Sequence, residues 1–233
     1  MTHGKKRKSD VEKVTYPRAC PLLKDIGEDE FAKLCECMKV RELHLRNKET
    51  FIFESDPCKW LGVVVTGSVQ LSRQRVDGGR SVLETIPAND TFGATYVFRG
   101  MPTMGISASA VGETCVLLFG TEQIMHPCHK VCHAHLQFLR NLLTIMSQKT
   151  FQIKQKLRIL SQRTIRGRLM LLLNILAKRA KSASFDIPFD RQALADYLCV
   201  ERSALSAEIS KLRNEGVLES VKNHFRLKVG KGA

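Results

Sequence analysis

Hydrophobic and polar positions change period several times along this chain, and each change marks an element. Between Cys20 and Val40, Phe31, Leu34 and Met38 recur at helical spacing, which predicts one short helix. From Val40 to Phe119 the pattern becomes strand-like, in short runs parted by turn signals. WLGVVVTGSVQLSRQRV is followed by the break Asp77-Gly78-Gly79, then by SVLETI, then by Pro87-Ala88-Asn89-Asp90. Breaks recurring roughly every 8–12 residues predict a small antiparallel barrel or roll. Trp60 to Val69 is its most strand-like part, with Gly67 expected at a bend.

Beyond Pro127 neither proline nor glycine occurs until after Ser161. Cys128, Cys132, His135, Leu139, Leu142, Met146, Thr150, Ile153, Leu157 and Leu160 follow one another in steps of three and four. Such a near-heptad stripe predicts a long helix packed against a partner helix. No second helix of that length is available nearby, so the partner expected is the same helix of another copy, making a homodimer. A second, leucine-rich helix is predicted from Thr164 to Lys181.

The stretch FDRQALADYLCVERSALSAEISKLRNEG, Phe189 to Gly216, reads as two short amphipathic helices joined by a tight turn. Asp190 suits the N-cap of the first, along which Leu194 and Leu198 repeat at i and i+4. In the second, Leu205, Ile209 and Leu212 make one stripe for burial. Opposite lie Ser203, Ser206, Ala207 and Ser210, with Arg202 on the flank. Short side chains let a helix sit deep in a DNA groove, and an arginine near its start can fork onto a guanine. Gly216 follows as a C-terminal signal. VLESVKNHFRLKV then alternates on both sides of Lys222-Asn223-His224, as a hairpin does. Two helices and a hairpin predict a winged helix.

Charge supports that reading. The formal net charge is +14, and from residue 151 onward 17 Lys and Arg stand against 7 Asp and Glu. A basic excess concentrated on one domain is the electrostatic footprint of phosphate binding. The N-terminus, MTHGKKRKSD, lacks the apolar centre of a secretory signal, and Lys5, Lys6, Arg7 and Lys8 read as a disordered, solubilising tail. No run of 18 apolar residues suggests a membrane span, so a cytoplasmic protein without a membrane partner is expected. Eight cysteines, Cys20, Cys35, Cys37, Cys58, Cys115, Cys128, Cys132 and Cys199, are scattered through the predicted elements, which favours reduced thiols over a disulfide framework. No nucleophile–base constellation or phosphate-cradling glycine loop stands at a recognisable spacing, so an enzyme is not expected. The expected fold is α+β. It comprises a basic tail (1–19), an antiparallel jelly-roll-like β-roll (20–126), a long dimerisation helix (127–161) and a C-terminal winged helix-turn-helix (162–233).

In that order, and through VVVTGSVQL, NDTFG at 89–93 and the helix-pair stretch, the chain resembles the cyclic-AMP receptor protein and fumarate-nitrate regulator (Crp/Fnr) family over most of its length. The resemblance implies a homodimeric transcription factor that binds a two-fold symmetric operator on double-stranded DNA and works with RNA polymerase, while the roll senses a signal. Carried over by position, Arg202 matches the recognition-helix arginine aimed at a base, with Ser203 after it, and Ser206 and Ser210 further along that face. Arg191 and Gln192 match phosphate-contacting positions, and Lys222 lies in the wing. Ala207 departs from the arginine common among relatives, so the operator sequence does not transfer.

The sensor half departs further. Cyclic-nucleotide binders of the family use a Gly-Glu pair for the ribose and a nearby arginine for the phosphate. Here the effector-pocket positions Gly93, Ala94 and Thr95 lack the glutamate, and Met101 to Ile106 holds no arginine. Burying a phosphate without a cation is costly, which argues against a cyclic nucleotide. Cys20, Cys35 and Cys37 lack the spacing of the family's iron–sulfur ligands. Cys128, Cys132 and His135, at i, i+4 and i+7, could bind zinc, iron or a haem, or could simply continue the apolar stripe. An alternative function is a ligand-binding, metal-sensing or storage protein whose basic domain is only structural.

Overall fold

The computed structural model describes residues 14–75, 77–126 and 132–228. The basic tail at Lys5–Lys8 and the candidate ligand Cys128 lie outside them. Two compact units divide between Met146 and Ser147.

The first unit begins with a 3-10 turn at Pro21–Leu23 and helix α1, Glu28–Met38. The single helix expected over Cys20–Val40 is thus broken, because Gly27 N-caps a new start with Glu30 reaching back to its N–H. Phe31, Leu34 and Met38 are buried as their spacing requires. Strands β1 (Arg41–Leu45), β2 (Thr50–Ile52), β3 (Trp60–Gln74), β4 (Arg80–Pro87), β5 (Thr91–Phe92) and β6 (Ser107–Gly120) follow. Helix α2, Ala94–Phe98, interrupts them, and α3, Thr121–Met125, closes the series. All pairings are antiparallel, in the order β1-β6-β3-β4, with β2 also on β6 and β5 on β3.

Strand β3 bends where the sequence placed a bend. Gly67 has φ 75°, a Cβ there would meet the Glu113 carbonyl oxygen at 2.5 Å, and the β3–β6 register shifts on both sides of Thr66. The roll interior is apolar, with Val64, Val69, Ile86, Phe92, Met104, Ile106 and Val116 at its centre. A second cluster joins α1, β3 and β6 to the start of helix α4, His133–Leu160, through Phe31, Leu61, Phe119 and Phe138.

That contact corrects the long-helix stripe. His135 and Leu142 are buried within the first unit, so they serve its own core. The apolar positions left open along α4 are Leu136, Leu143, Phe151, Ile153 and Leu157, of which Leu136, Leu143 and Leu157 keep a heptad register.

The second unit holds α5 (Ile165–Ala180), β7 (Ser184–Asp186), α6 (Arg191–Leu198), α7 (Arg202–Asn214), β8 (Leu218–Val221) and β9 (His224–Leu227). Thr164 caps α5 by accepting from the Gly167 N–H at 3.0 Å. Strands β7, β9 and β8 form an antiparallel sheet in that order, and its core is Leu169, Leu173, Leu194, Leu198, Leu205, Ile209, Leu212 and Phe225. Burying each leucine contributes about 1.5–3 kcal/mol relative to exposure. Among the described residues, no helix is long and apolar enough to cross a membrane.

Candidate nucleic-acid interface and sensor region

Helices α6 and α7 meet through a three-residue connection, Cys199 to Glu201. Asp190 Oδ1 accepts the Ala193 N–H at 2.8 Å and starts α6. Cys199 ends it in a left-handed conformation, φ 53°, while Arg168 Nη1 donates to the carbonyls of Leu198 and Cys199 at 3.1 and 3.3 Å. The turn is therefore held from α5. Leu205, Ile209 and Leu212 point inward, which leaves Arg202, Ser203, Ala207 and Ser210 exposed and Ser206 half-buried on α7. Glu201 caps α7 by position only, without a side-chain hydrogen bond.

Beside that face lies a cleft of about 390 Å³ lined by Arg191, Ser206, Ser210, Arg213, Ser220 and Lys222. Partial burial, then Arg202 and Arg213, lower the Arg191 pKa, which records a cluster of like charge. Cations facing one another with no carboxylate lining the cleft favour a bound polyanion. Gln192 is committed locally, donating to Asp196 Oδ1 at 2.8 Å. Lys222 sits at the hairpin tip with φ 53°. His224 donates from Nδ1 to Asp186 Oδ1 at 2.9 Å, and its Nε2 accepts the Ser184 hydroxyl, also at 2.9 Å. Sequence reasoning missed this link between β7 and β9, since only their pairing reveals it. Its three side chains are exposed on a sheet face, so they lace the wing strands together.

In the first unit, Gly93 is buried at the entrance to α2 with φ 86°, and a Cβ there would meet the Trp60 carbonyl oxygen at 2.7 Å. Ala94 is half-buried and Thr95 exposed. Every described Lys and Arg of the roll is exposed, while its interior around Phe92, Met104 and Ile106 is apolar. These residues do not fit a buried nucleotide phosphate.

His135 is fully buried. The Ile124 carbonyl can only accept, so His135 Nε2 carries the proton donated to it across 3.3 Å. The other nitrogen, Nδ1, lies 3.9 Å from Cys37 Sγ. The side chain of His135 is thus placed between the Ile124 carbonyl and Cys37, neither of which any spacing signal links to it. Cys132 is half-buried against the same core. The seven described cysteines are all free thiols.

A second group of possible ligands was not foreseen. Glu42, His44 and Cys115 place one donor atom each within 4.8 Å of one another. Burial, then the Glu42 carboxylate, push the Cys115 thiol up to about 12. Burial works to raise the Glu42 pKa, but hydrogen bonds from the Thr15 N–H, the Thr15 hydroxyl and Cys115, with His44 nearby, lower it overall.

A sensor-type roll followed by a winged helix-turn-helix with a cationic cleft defines a DNA-binding transcription regulator rather than an enzyme. The cyclic nucleotide-binding domain family matches residues 42–129, and the Crp-like helix-turn-helix domain family matches residues 167–229. The chain belongs to the Crp/Fnr family of transcription regulators. It is 24% identical over 179 residues to the transcriptional activator protein FnrL of Cereibacter sphaeroides, covering 73% of this chain and 69% of that one. To the nitrogen fixation regulation protein FixK of Bradyrhizobium diazoefficiens it is 24% identical over 186 residues, 76% and 74% of the two chains. The catabolite activator protein of Thermus thermophilus aligns structurally over 89% of this chain and 93% of that one, at 19% identity and a TM-score of 0.49.

Proposed function

We propose that this regulator acts as a homodimer on a two-fold symmetric operator, with the roll receiving a signal other than a cyclic nucleotide. The cationic cleft between α7 and the wing carries the DNA half of the reading. Arg202, Ser203, Ser206 and Ser210 face base edges, while Arg191 and Lys222 hold phosphates and set the register of α7, with Gln192 adding a phosphate contact only through the amide N–H that Asp196 does not take. A single long cation at the reading end leaves much of the affinity to the backbone. The exposed Leu136, Leu143, Ile153 and Leu157 of α4 form the seam between copies. Signal reception belongs to the roll, with the Gly93–Thr95 turn as its effector end. RNA polymerase is the protein partner a DNA-bound regulator addresses, and the cytoplasm of a bacterial cell is where it meets its operator.

Footprinting of the full-length protein on genomic promoter fragments tests this reading. A protected site with two half-sites about one helical turn apart is expected, with affinity falling steeply as salt rises. Lys222→Ala should reduce the salt slope by about 1 without changing the preferred sequence. Binding indifferent to sequence would overturn the proposal.

A further inference from the structure

The Crp/Fnr assignment leaves Glu42, His44 and Cys115 without a role, yet the sheet builds them into one site. Glu42 and His44 are two residues apart on β1, so both leave the same face of the strand. Cys115 is the residue directly opposite His44 on β6, and opposed residues hold their Cβ atoms about 4.5–5.5 Å apart. Glu42 Oε1 stands 3.1 Å from His44 Nε2 and 3.3 Å from Cys115 Sγ. The backbone pairing fixes which side chains share this face, so the three donors come together on regular strands without help from a flexible loop.

We propose that Glu42, His44 and Cys115 form a binding site for one divalent metal ion of the zinc class. A tetrahedral zinc with bonds of about 2.0–2.3 Å spaces its ligands about 3.3–3.8 Å apart, close to the separations present here. A sulfur, an imidazole nitrogen and one carboxylate oxygen suit a borderline-soft ion, whereas magnesium and calcium select oxygen-only sets. Without metal, the Cys115 thiol donates to Glu42 Oε1. On binding, the S–H proton passes to solvent and the metal–sulfur bond takes its place. Glu42 Oε1 can only accept, so without metal His44 Nε2 carries the proton between them; on binding, exchange with solvent moves that proton to Nδ1 and frees the Nε2 lone pair for the metal.

The supporting residue is in place too. The Thr15 N–H donates to Glu42 Oε2 and the Thr15 hydroxyl to Oε1, both at 2.7 Å, which orients the carboxylate toward the other two donors. The His44 side chain is 77% exposed, whereas that of Glu42 is 16% exposed. An ion therefore enters from the His44 side, and its fourth position faces solvent. A site open at one position can exchange a small ligand, unlike a closed structural one.

The test uses the reduced, metal-free full-length protein titrated with cobalt(II), then with zinc(II). One equivalent of cobalt should produce a thiolate-to-metal charge-transfer band together with tetrahedral visible bands, and zinc should displace them. Cys115→Ser should abolish the charge-transfer band. His44→Ala, at a position whose side chain is exposed and outside the roll's core, should weaken cobalt binding at least 10-fold. Thr15→Val should weaken it about 10-fold, as loss of a supporting hydrogen bond does. Cys37→Ser and Cys132→Ser should leave the spectrum unchanged. A band that survives Cys115→Ser, disappears with Cys132→Ser, or never forms with excess cobalt overturns the proposal. No DNA enters the experiment, so its failure is distinguishable from failure of the operator reading.

Discussion

The two units solve the same problem, bringing functional side chains together, over very different distances along the chain. In the winged helix, Asp190, Arg191, Arg202 and Ser210 lie within one short stretch, and the Asp190 cap and the left-handed Cys199 at the two ends of α6 set their geometry. In the roll, His44 meets Cys115 and Trp60 meets Gly120 only because β6 pairs with β1 and β3. A site built on local periodicity is robust to changes elsewhere in the fold. One built on strand register depends on every residue that holds the register, since a slip of one residue turns its side chains to the other face.

The largest expected effect separates the units by stability. Leu205→Ala removes a fully buried side chain from the second core and should cost about 2–5 kcal/mol. Chemical denaturation should show the winged-helix transition moving while the roll's stays, and a joint loss would mean that the two do not unfold separately.

Gly62→Ala applies the reverse pressure. A Cβ at Gly62 would fall 2.0 Å from Phe92 Cζ, so the β3–β5 contact must open at about 1–3 kcal/mol. The roll should melt earlier, with the DNA-domain transition unmoved. An unshifted roll transition would show that the Phe92 ring swings aside freely.

Arg202→Ala sharpens the comparison on the functional side. Its side chain is exposed, so stability should hold while operator binding weakens by about 1–3 kcal/mol, roughly 5- to 150-fold in Kd by titration. Weakening that is equal on operator and random duplex would assign Arg202 to the phosphates instead.

The smallest effect tests local capping. Asp190→Ala deletes the acceptor of the Ala193 N–H and should cost about 1 kcal/mol. A change within error in the winged-helix melt would mean that solvent replaces the cap.

Legibility followed the same divide. The α6–α7 pair was readable because 3.6-residue periodicity, an N-cap aspartate and a following glycine are local signals. The roll's class was readable from turn spacing and Gly67, but its pairing was not, and neither was the site at Glu42, His44 and Cys115. The stripe of α4 was half misread for a related reason. Spacing shows that His135 and Leu142 need burial, but it cannot say whether a neighbouring core or another copy of the helix supplies it.

The sequence by itself determined the order of elements, the stripe and reading face of α7, and the concentration of positive charge behind them, since each depends on residues a few positions apart. Tertiary structure alone decided that His135 faces Cys37, that the cations around Arg191 line one cleft, and that a glutamate and a histidine of β1 share a face with a cysteine of β6. Those outcomes come from strand register and core packing, which hold together residues too distant in sequence for any local pattern to connect.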